Sequence, residues 1–207
     1  MPLLLKHTWT QSGRTMASWS AVSRQRLRQL KDRLTALLST CITRHCTHFK
    51  NHGGVKAAVR HVHQRLAHAR FVARFDIEHY YQSMHHQVLL MQLKQLKVDP
   101  ADRLTISEYL SQPDINKTGI SMVAGSGLSP LLAAVYLHPL DQLMGRLKRQ
   151  KKIVHYTRYM DDTVILCKSR WQLKKSIAAM HCVLKQLHCR VHANKRFIGK
   201  TTRRFDF

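Results

Sequence analysis

Apolar residues recur at helical spacing over 22–38, where Leu27, Leu30, Leu34, Leu37 and Leu38 share a face and Arg24, Arg26, Arg28, Lys31 and Arg33 take the others. This predicts a basic amphipathic helix. Ahead of it, Trp9 and Trp19 stand among Ser, Thr and Gly with no sustained period, which reads as a loosely structured lead-in. Gly53-Gly54 breaks the chain before a second helix restarts at Val55. The character changes at Phe71-Val72-Ala73-Arg74-Phe75-Asp76-Ile77, a strand that enters a core and ends on an acid. A helix over 83–96 follows, with Met84, Val88, Leu89, Met91, Leu93 and Leu96 available for burial, and Asp99-Pro100 ends it. Next come a short helix over 101–110, a polar excursion over 111–119, and a Gly/Ser loop feeding a long apolar helix. Ser129 is its expected N-cap and Pro130 its first helical residue. The basic run 146–152 closes that helix and suits its C-terminal dipole. Two β-rich runs over 156–167 then predict a hairpin with Asp161 and Asp162 at its tip. An amphipathic helix over 171–187 and short extended pieces at 189–192, 196–198 and 205–207 complete the chain.

Charge narrows the class. With 35 Lys and Arg against 11 Asp and Glu in 207 residues, the formal charge is +24, so the chain calls for a polyanion, most commonly nucleic acid. The basic residues are spread along the sequence and not gathered on one amphipathic helix, which speaks against a membrane surface. No transmembrane run occurs, and Met1-Pro2-Leu3-Leu4-Leu5 is too short for a signal peptide, so an intracellular protein is expected. Five cysteines without framework-like spacing agree with reduced thiols. The run from Cys41 to His52 holds two cysteines and three histidines, but its spacing matches no common zinc finger or ribbon. The charges of the first helix leave two readings open, a solvated face and a phosphate-contacting one. Lys56 and Arg60 are candidates for contact with a nucleic-acid backbone.

Scarcity makes the acids informative. Asp161-Asp162 is an adjacent pair on a tight turn, and two carboxylates held side by side are stabilised by a cation, which points to a divalent metal. Asp76 stands at the end of a core strand next to a turn, a position where function often resides. Gly125 and Gly127 near a helix start allow an anionic ligand to approach free backbone N–H groups.

Taken in order, strand-Asp-turn-helix, Gly/Ser loop-helix, Asp-Asp hairpin, helix and strand resemble the palm of a reverse transcriptase. Phe75-Asp76-Ile77-Glu78-His79-Tyr80-Tyr81 is similar to the first catalytic motif of the bacterial enzymes, which include group II intron, retron and diversity-generating types. The run from Ser126-Gly127-Leu128-Ser129-Pro130 to Leu137 resembles the second motif, Tyr159-Met160-Asp161-Asp162 the third, and Asn194-Lys195 a weaker fourth. The resemblance implies an α+β fold, an antiparallel sheet with packed helices over 70–207, a fingers-like excursion at 98–120, and a basic, helical, fingers-like region over 1–69. It implies RNA-directed DNA polymerisation: dNTPs added to a DNA or RNA primer on an RNA template, with two Mg²⁺, or alternatively Mn²⁺. Asp76, Asp161 and Asp162 would be catalytic, and Ile77 would lend a backbone carbonyl to the metals. Tyr81 would be the steric gate, Gly125 and Ser126 would meet the nucleotide, and Lys195 would protonate pyrophosphate. Val123-Ala124 stand where many relatives carry Pro-Gln, so a nucleotide-positioning amide is missing and the subclass stays open. Residues 201–207 resemble the lead-in to a primer-grip turn, so the chain is expected to stop before a thumb, with a partner as an alternative source of one. A bacterial cytoplasmic setting is expected. The alternative is a catalytically silent nucleic-acid-binding remnant.

Overall fold

A computed structural model describes residues 2–11, 14–114 and 116–205. The chain forms β1 (Leu5–Gln11), β2 (Arg14–Trp19), α1 (Ala21–Leu38), α2 (Gly54–Leu66), β3 (Phe71–Ile77), α3 (His86–Gln95) and α4 (Pro100–Ser111). It continues with α5 (Ser129–Tyr136), α6 (His138–Arg149), β4 (His155–Tyr159), β5 (Asp162–Cys167), α7 (Arg170–Gln186) and β6 (Val191–Lys200). These elements make two compact units, Met1–Cys41 with His79–Tyr136, and Ile42–Glu78 with Leu137–Phe207. Residues 42–69, grouped with the N-terminal region on sequence grounds, thus pack with the sheet.

In the first unit the expected lead-in is an antiparallel hairpin, β1 with β2, not a loose segment. Trp19 explains why: it is 3% exposed and its ring stacks on Tyr109 of α4, 5.3 Å between centroids. Burial of two large rings ties the hairpin down where its own alternation is too weak to announce a strand. Leu27, Leu30, Leu34 and Leu38 of α1 are buried, as their spacing predicts. Arg33 of α1 pairs with Asp102 of α4 at 2.6 Å. α4 carries Pro100 in its first turn, and the Asp99 carboxylate accepts from the Ala101 amide at 2.8 Å.

The second unit is built on an antiparallel sheet in the order β4-β5-β3-β6. One face carries Val72, Val164 and Leu166, which pack with Val62 of α2 and Ala69. The period of two sends Phe75, Ile165 and Cys167 to the other face, where α7 packs on β3 and β5. α7 begins on a capping box in which Ser169 and Gln172 satisfy each other's amides. Beneath β4 lies a fully buried ion pair. Arg158 donates from Nε and Nη2 to the two oxygens of Asp141, at 2.8 and 2.5 Å, and both side chains are 0% exposed. The Tyr156 hydroxyl also donates to Asp141, at 2.8 Å.

Other departures from the expected elements have local causes. The long apolar helix is two helices, because Pro139 in the first turn of α6 cannot continue the preceding ladder. Ser129 sits inside the first turn of α5 and not at its cap: the Leu128 carbonyl accepts the Leu132 amide. The helix expected from 83 starts at His86, after a turn in which the Ser83 amide bonds the His79 carbonyl. The pieces at 189–192 and 196–198 are one strand, β6, held by pairing along β3. Asp206 and Phe207 lie outside the described residues. Among the described residues, no helix is long and apolar enough to cross a membrane.

Removing one member of a buried, hydrogen-bonded ion pair leaves an uncompensated charge, which costs about 3–5 kcal/mol. Asp141→Ala is therefore expected to lower the unfolding free energy by that amount, read as a fall in the urea midpoint.

Candidate active site

β3 and β5 bring two distant acids together. Their register pairs Arg74 with Val164 and Phe75 with Thr163, so one step further sets Asp76 opposite Asp162. Arg74, Asp76 and Asp162 lie on one face, continuing the apolar stripe of Val72 and Val164 towards the strand ends. Asp162 is half-buried, and its carboxyl is pushed above the usual range, first by burial and also by the neighbouring Asp76 charge. Arg74 offsets part of this: its Nη2 donates to Asp162 at 2.8 Å, with Lys195 a smaller favourable charge. Asp161 stands in the two-residue turn between Tyr159 and Asp162, which pair as the last rung of β4 and β5.

The donors are hard carboxylate oxygens, the chemistry Mg²⁺ prefers, and the elevated Asp162 shows a site that gains from added positive charge. In that respect the residues fit a divalent ion. Among the described residues no three His, Cys, Asp or Glu groups already converge as a ligand set. Ile77 closes β3 with a buried side chain, and Lys195 is exposed on β6.

Tyr81, Gly125 and Ser126 belong to the other unit. Tyr81 is buried at 8% exposure, and the Arg14 guanidinium lies over its ring at 5.7 Å. Gly125 has φ +94°, a conformation that favours glycine, and a Cβ there would press at 3.0 Å on the flexible end of Met16. The loop is zipped onto β2: the Ala124 amide bonds the Thr15 carbonyl at 2.7 Å, and the Ala17 amide returns to Ala124. The Ser126 hydroxyl is engaged with those of Tyr109 (2.7 Å) and Ser129 (3.1 Å), while Ser129 donates to the Val123 carbonyl. Lys56 and Arg60 are exposed on α2.

A family model described as reverse transcriptase (RNA-dependent DNA polymerase) matches residues 4–207. The chain belongs to the reverse transcriptase family. No curated protein matches it. Among solved structures it is similar to a telomerase from Candida albicans in complex with a TWJ fragment of telomeric RNA, at 11% identity and TM-score 0.66, covering 87% of this chain and 36% of that one. It is also similar to an apo telomerase from Candida tropicalis truncated from its C-terminal domain, at 13% and 0.67, covering 96% and 50%. A further apo telomerase from that organism aligns at 12% and 0.63, covering 96% and 46%. The chain thus spans half or less of the length of these structures, and at such identity the likeness speaks for the fold: an antiparallel sheet with packed helices, similar to the reverse transcriptase palm of telomerase.

This reverse transcriptase chain also holds features that sequence reasoning passed over. A cleft of about 470 Å³ in the first unit is lined by Trp9, Trp19, Arg24, Arg28, Lys31 and the 125–128 loop, among others. Arg24, Arg28 and Lys31 follow i, i+4, i+7 spacing, so the signal for one cationic helix face was present; the Trp residues that join it come from a hairpin not expected. Arg14, over Tyr81, had no sequence signal at all.

From Ile42 onward the Cys/His run is a loop of the second unit, paired with β4 through Arg158. Cys46 forms a parallel bridge with Arg158, and burial is the main reason its thiol is pushed up to about 12; Cys167 rises to about 11 for the same reason. At pH 8 only about one Cys46 in 10⁴ would be thiolate. Iodoacetamide at that pH is therefore expected to label exposed Cys182 while Cys46 and Cys167 stay unmodified until the protein is denatured, as peptide mass mapping would show.

Proposed function

We propose that this chain carries RNA-directed DNA polymerase activity, adding dNTPs to a primer 3′-hydroxyl on an RNA template by nucleotidyl transfer. The observation that supports it most is the juxtaposition of Asp76 and Asp162 at the ends of paired strands, next to the turn that holds Asp161, in a chain of this family. In this reading Asp76 and Asp161 would hold two Mg²⁺ (or Mn²⁺), the Ile77 carbonyl would add a ligand, and Asp162, tied to Arg74, would contribute supporting charge. When bound, the ions would lower the pKa of the 3′-hydroxyl and offset charge on departing pyrophosphate. Exposed Lys195 would hold a proton for the pyrophosphate oxygen. Tyr81, backed by Arg14, would sort sugars by their 2′ substituent, and the backbone at Gly125 and Ser126 would meet the nucleotide, since the Ser126 hydroxyl is already engaged.

The template belongs to the same reading. A cleft with exposed Trp9 beside three cations suits a single strand, in which a base can stack on the aromatic face while phosphates meet Arg and Lys. Lys56 and Arg60 would add phosphate contacts. The fingers-like naming of the N-terminal part and of the 98–120 excursion, and a bacterial, intracellular setting, rest on the sequence motifs. A catalytically silent RNA-binding protein is the second reading, favoured by the Arg74–Asp162 pair, which gives one carboxylate a resident counter-charge.

Primer extension by the purified chain separates the two readings. Mg²⁺-dependent extension that falls on the order of 10²- to 10³-fold in Asp161→Asn is expected, whereas RNA retention on filters with no extension in either form favours the silent protein. In Tyr81→Ala the preference for dNTP over rNTP is expected to drop about 10- to 100-fold in relative kcat/KM. An unchanged preference removes Tyr81 from the sugar-sorting role.

A further inference from the structure

Both peptide groups flanking the Cα of Met160 are held by side chains of the sheet-bearing unit. The Met160 N–H donates to Nδ1 of His48, 3.0 Å away, and its carbonyl accepts from Nη1 of Arg158 at 2.7 Å. Met160 has φ 55°, in a left-handed region where residues other than glycine are uncommon and persist only when their surroundings over-determine them. No glycine stands in this turn to relieve the requirement.

His48 is itself placed by a short ladder. The Arg158 amide donates to the His45 carbonyl at 2.8 Å, and the Thr47 amide and hydroxyl both donate to the Arg158 carbonyl, at 2.8 and 3.0 Å. His52 closes the loop through a 2.8 Å bond between its Nδ1 and the Cys46 carbonyl, and the His48 ring lies edge-on to Tyr159. Since an amide N–H only donates, Nδ1 of His48 is the unprotonated ring nitrogen. Arg158 is held in turn by Asp141, where neither side chain meets water.

We propose that His48 is a positioning residue for the Met160–Asp161 turn: it anchors the Met160 amide so that Asp161 is presented in one conformation, with the Arg158–Asp141 pair as the buried anchor on the carbonyl side. The 42–52 loop is then a brace for the carboxylate hairpin, which accounts for the one Cys/His-rich run in the chain. The catalytic consequence rests on the polymerase reading; the brace itself does not.

Three variants test it. In Asn, Oδ1 takes the place of Nδ1 as acceptor, whereas the Gln oxygen takes the place of Nε2. Amide hydrogen exchange, resolved at Met160, is expected to quicken about two- to tenfold in His48→Ala and His48→Gln and to stay near wild type in His48→Asn, with the central sheet amides unchanged. In primer extension the same order is expected in kcat, with KM for dNTP unmoved. Unchanged Met160 exchange in His48→Ala, or rescue by Gln as good as by Asn, overturns the brace. A uniform rise across all sheet amides in the Ala and Gln variants also overturns it, by making His48 a general stability contact. Failure of the wild-type chain to extend a primer sinks the polymerase reading instead, and the exchange readout still decides the brace.

Discussion

Arg158 and Asp141 are sealed from water beside the turn of the carboxylate hairpin, and much of the sheet-bearing unit is arranged so that this charge pair is tolerable. Desolvating an ion pair is costly, and the cost is offset only when the remaining donors and acceptors are also satisfied. Here they are: Asp141 accepts from the guanidinium and from Tyr156, and the third arginine nitrogen reaches the Met160 carbonyl. The Arg158 backbone meets the 42–52 loop on both its N–H and its carbonyl. A single residue of β4 therefore joins α6, the loop and the turn.

One rung away, at the same end of the strands, charge poses the opposite problem. Asp76 and Asp162 are brought together although they repel, and burial lifts the Asp162 carboxyl further. Arg74 stands two residues before Asp76 on the same strand face, which lets it reach Asp162 across the pair. In a chain of net charge +24 with 11 acids, three of them stand within one small region, with Arg74 as the cation held against Asp162. Elsewhere the excess positive charge is distributed along helices, and in the first unit Arg24, Arg28 and Lys31 gather beside exposed Trp9. That combination of a π face and cations suits a flexible polyanion better than a compact anion.

Local chemistry made several elements legible in the sequence. The apolar periods of α1 and α7, the short helix after Asp99-Pro100, the strand 71–77 and the hairpin carrying Asp161 all follow from patterns that repeat within a few residues. The motif order was also enough to bring out the family. What escaped were features whose cause lies far away in the chain. The β1–β2 hairpin is held by stacking on Tyr109, and the break between α5 and α6 shows that even a visible signal, Pro139, is overlooked when the surrounding residues are uniformly apolar. β6 looked like fragments because its polar, exposed residues lack alternation, and only pairing with β3 makes it one strand.

The sequence by itself singled out Asp76, Asp161 and Asp162 as candidates, because an adjacent Asp pair on a turn and an Asp at the end of a core strand are unusual in so basic a chain. Only the tertiary structure decided who stands beside them. The antiparallel register sets Asp76 against Asp162 and lets Arg74 pair with Asp162, and long-range hydrogen bonds turn a run of cysteines and histidines into the support of the Met160–Asp161 turn. Neither result is local: each depends on residues about a hundred positions apart meeting across a sheet, and spacing along one chain carries no record of that register.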